Sequence, residues 1–91
     1  MAYYIPKKVK IGRKEFRVER VKEIEGGHEG RILYKEKVIE LDQYLTGEEL
    51  WEAFLHEVVH GILRDMQRHD LNSERFVTAF SERLAQALGS K

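Results

Sequence analysis

Between Leu50 and Met66 the apolar residues Leu50, Trp51, Phe54, Leu55, Val58, Ile62 and Met66 recur at intervals of three and four, the repeat of a helix that buries one broad face. Ahead of them, Thr46-Gly47-Glu48-Glu49 has the form of a capping box, in which the Thr46 hydroxyl and the Glu49 carboxylate satisfy backbone N–H groups of the first turn. The spacing predicts a helix from about Thr46 to Met66. A second helix is expected from about Ser73 to Leu88, capped by Asn72 or Ser73, with Phe76, Val77, Phe80, Leu84 and Leu88 as its buried stripe and Gly89 as its terminator. Two such helices take up much of a 91-residue chain, so one domain, residues 1–91, is expected, with no room for a second core.

The residues before the helices read as strands. Lys14 to Ile24 sets Phe16, Val18, Val21 and Ile24 among charges at close to period two, with a one-residue shift that a bulge would absorb. Glu25-Gly26-Gly27-His28-Glu29-Gly30 suits a hairpin connection, and Arg31–Tyr34 and Lys37–Leu41 read as two further short strands joined by a tight turn. The expected class is α+β: a small, mostly antiparallel sheet of about three strands followed by two packed helices.

Charge and cysteine content narrow the functions. Sixteen basic residues balance sixteen acidic ones, so no overall positive field collects phosphates and nucleic acid is not the expected partner. The basic run from Lys7 to Lys14 is answered by Glu15, Glu19 and Glu23, which reads as a solvated strand face. Without cysteine there is neither a disulfide framework nor a Cys-based zinc finger, so any metal must be held by His, Asp or Glu. Met1-Ala2-Tyr3-Tyr4-Ile5-Pro6 lacks the apolar core of a signal peptide, and no segment approaches the roughly 18 apolar residues of a membrane span. A cytoplasmic protein is expected, with no membrane partner.

On the first helix stands His56-Glu57-Val58-Val59-His60. Four residues of separation place both imidazoles on adjacent turns of one face, where they can meet one ion. With Leu50 at zero, the apolar residues centre near roughly 100° and the histidines near roughly 240° and 280°, so they are expected to point away from the core. Glu57, near roughly 340°, is placed to take a proton from a zinc-bound water, as the His-Glu-x-x-His pattern requires. A catalytic zinc takes three protein ligands. Position 66, where a third histidine would extend the motif, is Met66. Glu74, in the first turn of the second helix, is the favoured third ligand; His69 and Asp70 on the connection are the competitors.

Thr46-Gly47-Glu48-Glu49, Leu55-His56-Glu57-Val58-Val59-His60-Gly61-Ile62-Leu63 and Ser73-Glu74-Arg75-Phe76-Val77 together resemble the minigluzincins, over roughly residues 30 to 88. The resemblance implies a minimal zinc metallopeptidase core with His56, His60 and Glu74 as zinc ligands and Glu57 as general base. It also implies that an edge strand upstream of the helix, about Gly30 to Tyr34 and including Ile32, Leu33 and Tyr34, binds an extended protein or peptide substrate as an added strand. Larger metallopeptidases place a His, Tyr or Arg at the developing oxyanion, and Arg64, His69 and Tyr34 are the conceivable donors here. The expected function is hydrolysis of peptide bonds in an extended segment. The alternative is a catalytically weak or silent zinc-binding regulatory or interaction module, of the kind such short chains provide in phages and archaea. Exposed sheet edges allow a monomer or a weak homodimer.

Overall fold

A computed structural model describes residues 4–89. Four strands, β1 (Lys8–Ile11), β2 (Lys14–Val21), β3 (Gly30–Leu33) and β4 (Val38–Asp42), are followed by helices α1 (Gly47–Asp65) and α2 (Glu74–Gly89). The class is α+β, as expected, but the sheet is mixed and has a fourth strand. Its order is β1-β2-β4-β3. The outer pairs are antiparallel and the central pair, β2 with β4, is parallel, with Val18 opposite Ile39.

The burial of β4 explains this order. Val38, Ile39 and Leu41 are at most 3% exposed, as a strand flanked on both sides requires, whereas all four residues of β3 are half-buried, as suits an edge. The added strand is β1, in the stretch that alternating charge marks as a solvated face. Lys8 does pair with Glu15 across the surface, but Ile11 turns inward and is 3% exposed. The expected hairpin between Lys14–Ile24 and the next strand is not formed. Strand β2 ends at Val21, Ile24 plugs the core at 2% exposure, and the chain turns through a short 3-10 segment, Glu25–Gly27, with Gly26 and Gly27 at φ 86° and 72°.

Helix α1 is a middle layer, packed on β1, β3 and β4 on one side and on α2 on the other. It therefore has two buried flanks. Leu50, Phe54, Leu55, Val59 and Leu63 are buried, while Ile62 and Met66, expected on a single apolar stripe, are 41% and 59% exposed. Gly61 lets the helix approach the sheet, since a Cβ there would lie 2.8 Å from Ile11 Cδ1 and 3.0 Å from Ile32 Cδ1. Helix α2 is seated through Val77, Ser81 and Ala85, small side chains that allow close approach. Phe76 and Phe80, expected in the buried stripe, instead stack on each other at the surface with ring centroids 5.7 Å apart, and Leu88 is exposed. The Trp51 indole Nε1–H donates to the Ala85 carbonyl at 3.3 Å, tying the start of α1 to the end of α2.

The helix ends differ in their chemistry. Thr46 makes no side-chain cap; the first turn is closed by the backbone alone, Leu50 N–H donating to Thr46 O at 3.3 Å, and Gly47 stands at φ 57°. Arg20 anchors this junction instead, its Nη2 donating to the carbonyls of Asp42, Gln43 and Leu45 at 3.1, 2.9 and 2.6 Å. At its far end α1 closes with Gln67 at φ 59°, Gln67 N–H on Arg64 O and Arg68 N–H on Leu63 O, the paired bonds of a Schellman turn. That turn reverses the chain so that α2 returns along α1. Ser73 Oγ then caps α2 by accepting the Phe76 N–H at 3.2 Å. Among the described residues no helix is long and apolar enough to cross a membrane.

Candidate metal centre

The antiparallel return of α2 brings its first residue, Glu74, over the histidine turn of α1. His56 Nε2 lies 3.0 Å from Glu74 Oε1, His60 Nε2 lies 3.0 Å from Glu74 Oε2, and the two Nε2 atoms are 3.2 Å apart. His56, His60 and Glu74 are thus a group that could hold a metal ion. Ligands about 2.0–2.1 Å from a tetrahedral zinc stand about 3.3 Å from one another, a spacing the three side chains nearly meet. Three acceptor-bearing groups at this distance repel unless a proton or cation lies among them. The donor set, two nitrogens and a carboxylate, fits a divalent transition metal.

The histidines do not point away from the core as expected. They lie in the seam where α1 meets α2, with side chains 22% and 14% exposed, while Glu74 is 78% exposed and leaves the site open to solvent. Their partial burial follows from the two-layer packing of α1. Burial also lowers the pKa of His56, against the opposing pull of the Glu74 carboxylate, which favours the neutral imidazole that a metal requires.

His60 is held from behind. Its Nδ1 lies 2.6 Å from Asn72 Oδ1, and Asn72 Nδ2 donates to the His60 carbonyl at 3.4 Å, so the amide is oriented with its oxygen toward the ring. An Nδ1–H donated to Asn72 leaves Nε2 with its lone pair toward Glu74. Asn72 is legible in the sequence only as a potential helix cap, and its contact with His60 depends on the path of the connection.

Glu57 sits one position beyond His56 and is only 7% exposed. It packs against the start of β3, where a Cβ on Gly30 would lie 3.3 Å from Glu57 Cγ. Burial pushes its carboxyl up to about 7, with His60 opposing and Glu74 adding to the shift. A carboxyl that titrates near neutrality can both accept and return a proton.

The competing ligands are occupied or remote. Asp70 is gripped by Arg68 through two bonds of 3.0 and 2.8 Å, which hold its carboxyl down to about 2, and His69 is exposed and outside the cluster. Of the conceivable oxyanion donors, Arg64 lies over the Tyr34 ring at 4.0 Å. Tyr34 packs edge-on to Phe16, its phenol raised in pKa by burial although Arg64 opposes the shift. Ile32 and Tyr34 pack against the core and Leu33 is half-buried, so what β3 offers a ligand is chiefly its backbone edge. A cleft of about 530 Å³ adjoins the cluster, walled by His56, Glu57, Glu74 and residues from the loop before β3. His28, in that loop, lines the cleft too; nothing in its local sequence marks it. In comparisons with known proteins, no family model, curated protein or solved structure matches this chain.

Proposed function

We propose that the chain is a zinc-dependent metallopeptidase of the minigluzincin kind, with His56, His60 and Glu74 as ligands and Glu57 as general base. The observation that carries this reading is the convergence of two Nε2 atoms and one carboxylate within 3.0–3.2 Å, with a buried, near-neutral carboxyl one residue away. Zinc held there supplies a Lewis acid for a peptide carbonyl and brings the pKa of a water toward about 7. Glu57 takes the proton of the attacking water on its carboxylate and passes it to the leaving amine. Asn72 keeps the His60 ring in one tautomer, and the free edge of β3 receives an extended segment through backbone hydrogen bonds.

A second reading, a zinc-binding module without turnover, is favoured by one observation: Arg64 is engaged with Tyr34 rather than lining the cleft. Metal content and cleavage separate the two. Untagged protein is expected to retain one zinc, to lose it in His56→Ala/His60→Ala, and to cleave a broad peptide library only while Glu57 is intact. Absence of zinc in the parent overturns both readings; zinc with equal fragments from parent and Glu57→Gln removes the peptidase reading.

A further inference from the structure

Peptide-bond cleavage places negative charge on the carbonyl oxygen, and a hydrogen-bond donor held at that oxygen lowers the barrier. The three residues conceivable for this role stand elsewhere: Arg64 and Tyr34 line a different cleft, and His69 lies outside the metal cluster. Around the cleft that holds His56, Glu57 and Glu74, most of the remaining wall is glycine, alanine or carboxylate. The neutral side-chain donors left are His28, Thr78 and Ser81. Ser81 is 2% exposed, and its hydroxyl already donates to the Thr78 carbonyl at 3.4 Å. Thr78 has a short side chain that ends close to α2, on the wall that carries Glu74.

His28 comes from another wall, the loop that enters β3. It stands two residues ahead of Gly30, at most about 7 Å of chain, and a Cβ on Gly30 would lie 3.3 Å from Glu57 Cγ. An imidazole at this position has the reach to meet an oxygen beside Glu57. Its seat is made by glycine: a Cβ on Gly26 would lie 3.0 Å from His28 Cδ2 and 3.2 Å from Nε2. Gly26 and Gly27 also hold φ of 86° and 72°, which residues with a side chain rarely adopt. Among the described residues His28 has no hydrogen bond, ion pair or ring contact, so its N–H is open to a ligand in the cleft.

We infer that His28 is a further catalytic residue, whose ring N–H donates to the substrate carbonyl oxygen as that oxygen becomes negative. This rests on the peptidase reading and adds the group that Arg64, Tyr34 and His69 do not supply. The water oxygen bonds the carbonyl carbon, and the C=O π pair moves onto the oxygen, where the His28 N–H meets it. The pair returns as the C–N bond breaks, and the leaving nitrogen takes the proton that Glu57 removed from the water. The other hydrogen of the water stays with the new carboxyl group. No proton leaves His28.

The test compares the parent with His28→Ala, His28→Gln, Gly26→Ala and Thr78→Val, all in zinc-containing buffer. Turnover is read on peptides that the parent cleaves. Binding is read by anisotropy with a fluorescent phosphinic oligoalanine, whose tetrahedral anion stands in for the charged oxygen. His28→Ala is expected to lose about 100-fold in kcat with KM little changed. It should bind the phosphinic peptide more weakly by a similar factor, while its zinc affinity equals the parent's. His28→Gln keeps a neutral donor and should recover part of both losses. Gly26→Ala, which crowds the seat of the ring without removing the ring, should show a smaller loss. Unchanged phosphinic-peptide binding in His28→Ala overturns the inference, and parental turnover in that variant leaves the peptidase reading standing without it. A loss that falls on Thr78→Val and spares His28→Ala overturns it as well. Weaker phosphinic-peptide binding in His28→Ala, with no cleavage by the parent, upholds the donor and removes the peptidase reading.

Discussion

His60 Nδ1 and Asn72 Oδ1 stand 2.6 Å apart, a contact between the motif helix and the link that leads into α2. It couples ring orientation to the path of that link, and the same link delivers Glu74. Replacing Asn72 by Ala frees the ring and its tautomer while leaving the proposed ligands His56, His60 and Glu74 in place. Zinc affinity, measured by competition with a chromophoric chelator, is expected to fall about 10- to 100-fold, the usual effect of losing such a supporting bond. Asn72→Asp, which retains the acceptor, should recover most of the loss. An unchanged affinity in Asn72→Ala would show that the contact does not orient the ligand.

Glu57 gives the metal-free protein a pH signature. Its folded carboxyl titrates at about 7 against the ordinary 4.5, so between those values the folded state holds a proton that the unfolded state has released. The stabilisation is complete below the lower value and is lost as pH rises through the upper, to the extent of about 3 kcal/mol. His56, whose pKa is lowered by burial, acts oppositely and favours the fold as pH rises. The difference between parent and Glu57→Gln isolates the glutamate. In chelator-treated protein the glutamine variant should gain stability relative to the parent as urea titrations move from pH 5 to pH 8. Parallel curves would mean that Glu57 is not desolvated.

The histidine-bearing helix and its partner were legible because their apolar spacing and the pattern His56-Glu57-x-x-His60 are local. Glu74 was legible because an antiparallel return after a short link leaves the first turn of α2 beside those histidines. Sheet order was not. The parallel pairing of β2 with β4 is decided by the near-complete burial of Ile39 and Leu41, a property of the whole assembly. The two flanks of α1 were misread for the same reason: a helix between a sheet and another helix cannot be described by one stripe. Phe76 and Phe80 show the complementary error, since Val77, Ser81 and Ala85 fit the close seam that aromatic rings would hold open.

Gly61 should be intolerant of even one methyl. Alanine raises helix propensity by about 1 kcal/mol, but its Cβ would meet Ile11 Cδ1 at 2.8 Å and Ile32 Cδ1 at 3.0 Å. Overpacking of this kind costs about 1–3 kcal/mol, so a net loss of stability is expected for Gly61→Ala by thermal or urea denaturation. Ile11→Val removes the nearer methyl. Combined with Gly61→Ala it should be less harmful than the two single effects added, a coupling that a double-mutant cycle reads directly. Strict additivity would indicate that α1 shifts as a body rather than pressing on Ile11.

Arg20 lies far from the histidines in sequence, yet it sets where their helix begins. One guanidinium nitrogen, Nη2, serves the carbonyls of Asp42, Gln43 and Leu45, joining the end of β4 to the start of α1. Hydrogen bonds from a charged donor contribute about 1.5–3 kcal/mol net, and sharing one nitrogen among three acceptors holds the total near that of a single strong bond. Arg20→Ala should therefore lower stability by about 2 kcal/mol, and Arg20→Lys should recover only part, because an ammonium lacks the planar reach of the guanidinium. Hydrogen exchange offers the sharper reading. Without Arg20 the amides of the first turns of α1 should exchange faster, while those at Val59 to Leu63, held between the sheet and α2, keep their protection relative to global unfolding. Uniform acceleration along α1 would instead mean that Arg20 contributes to the domain as a whole and not to this junction.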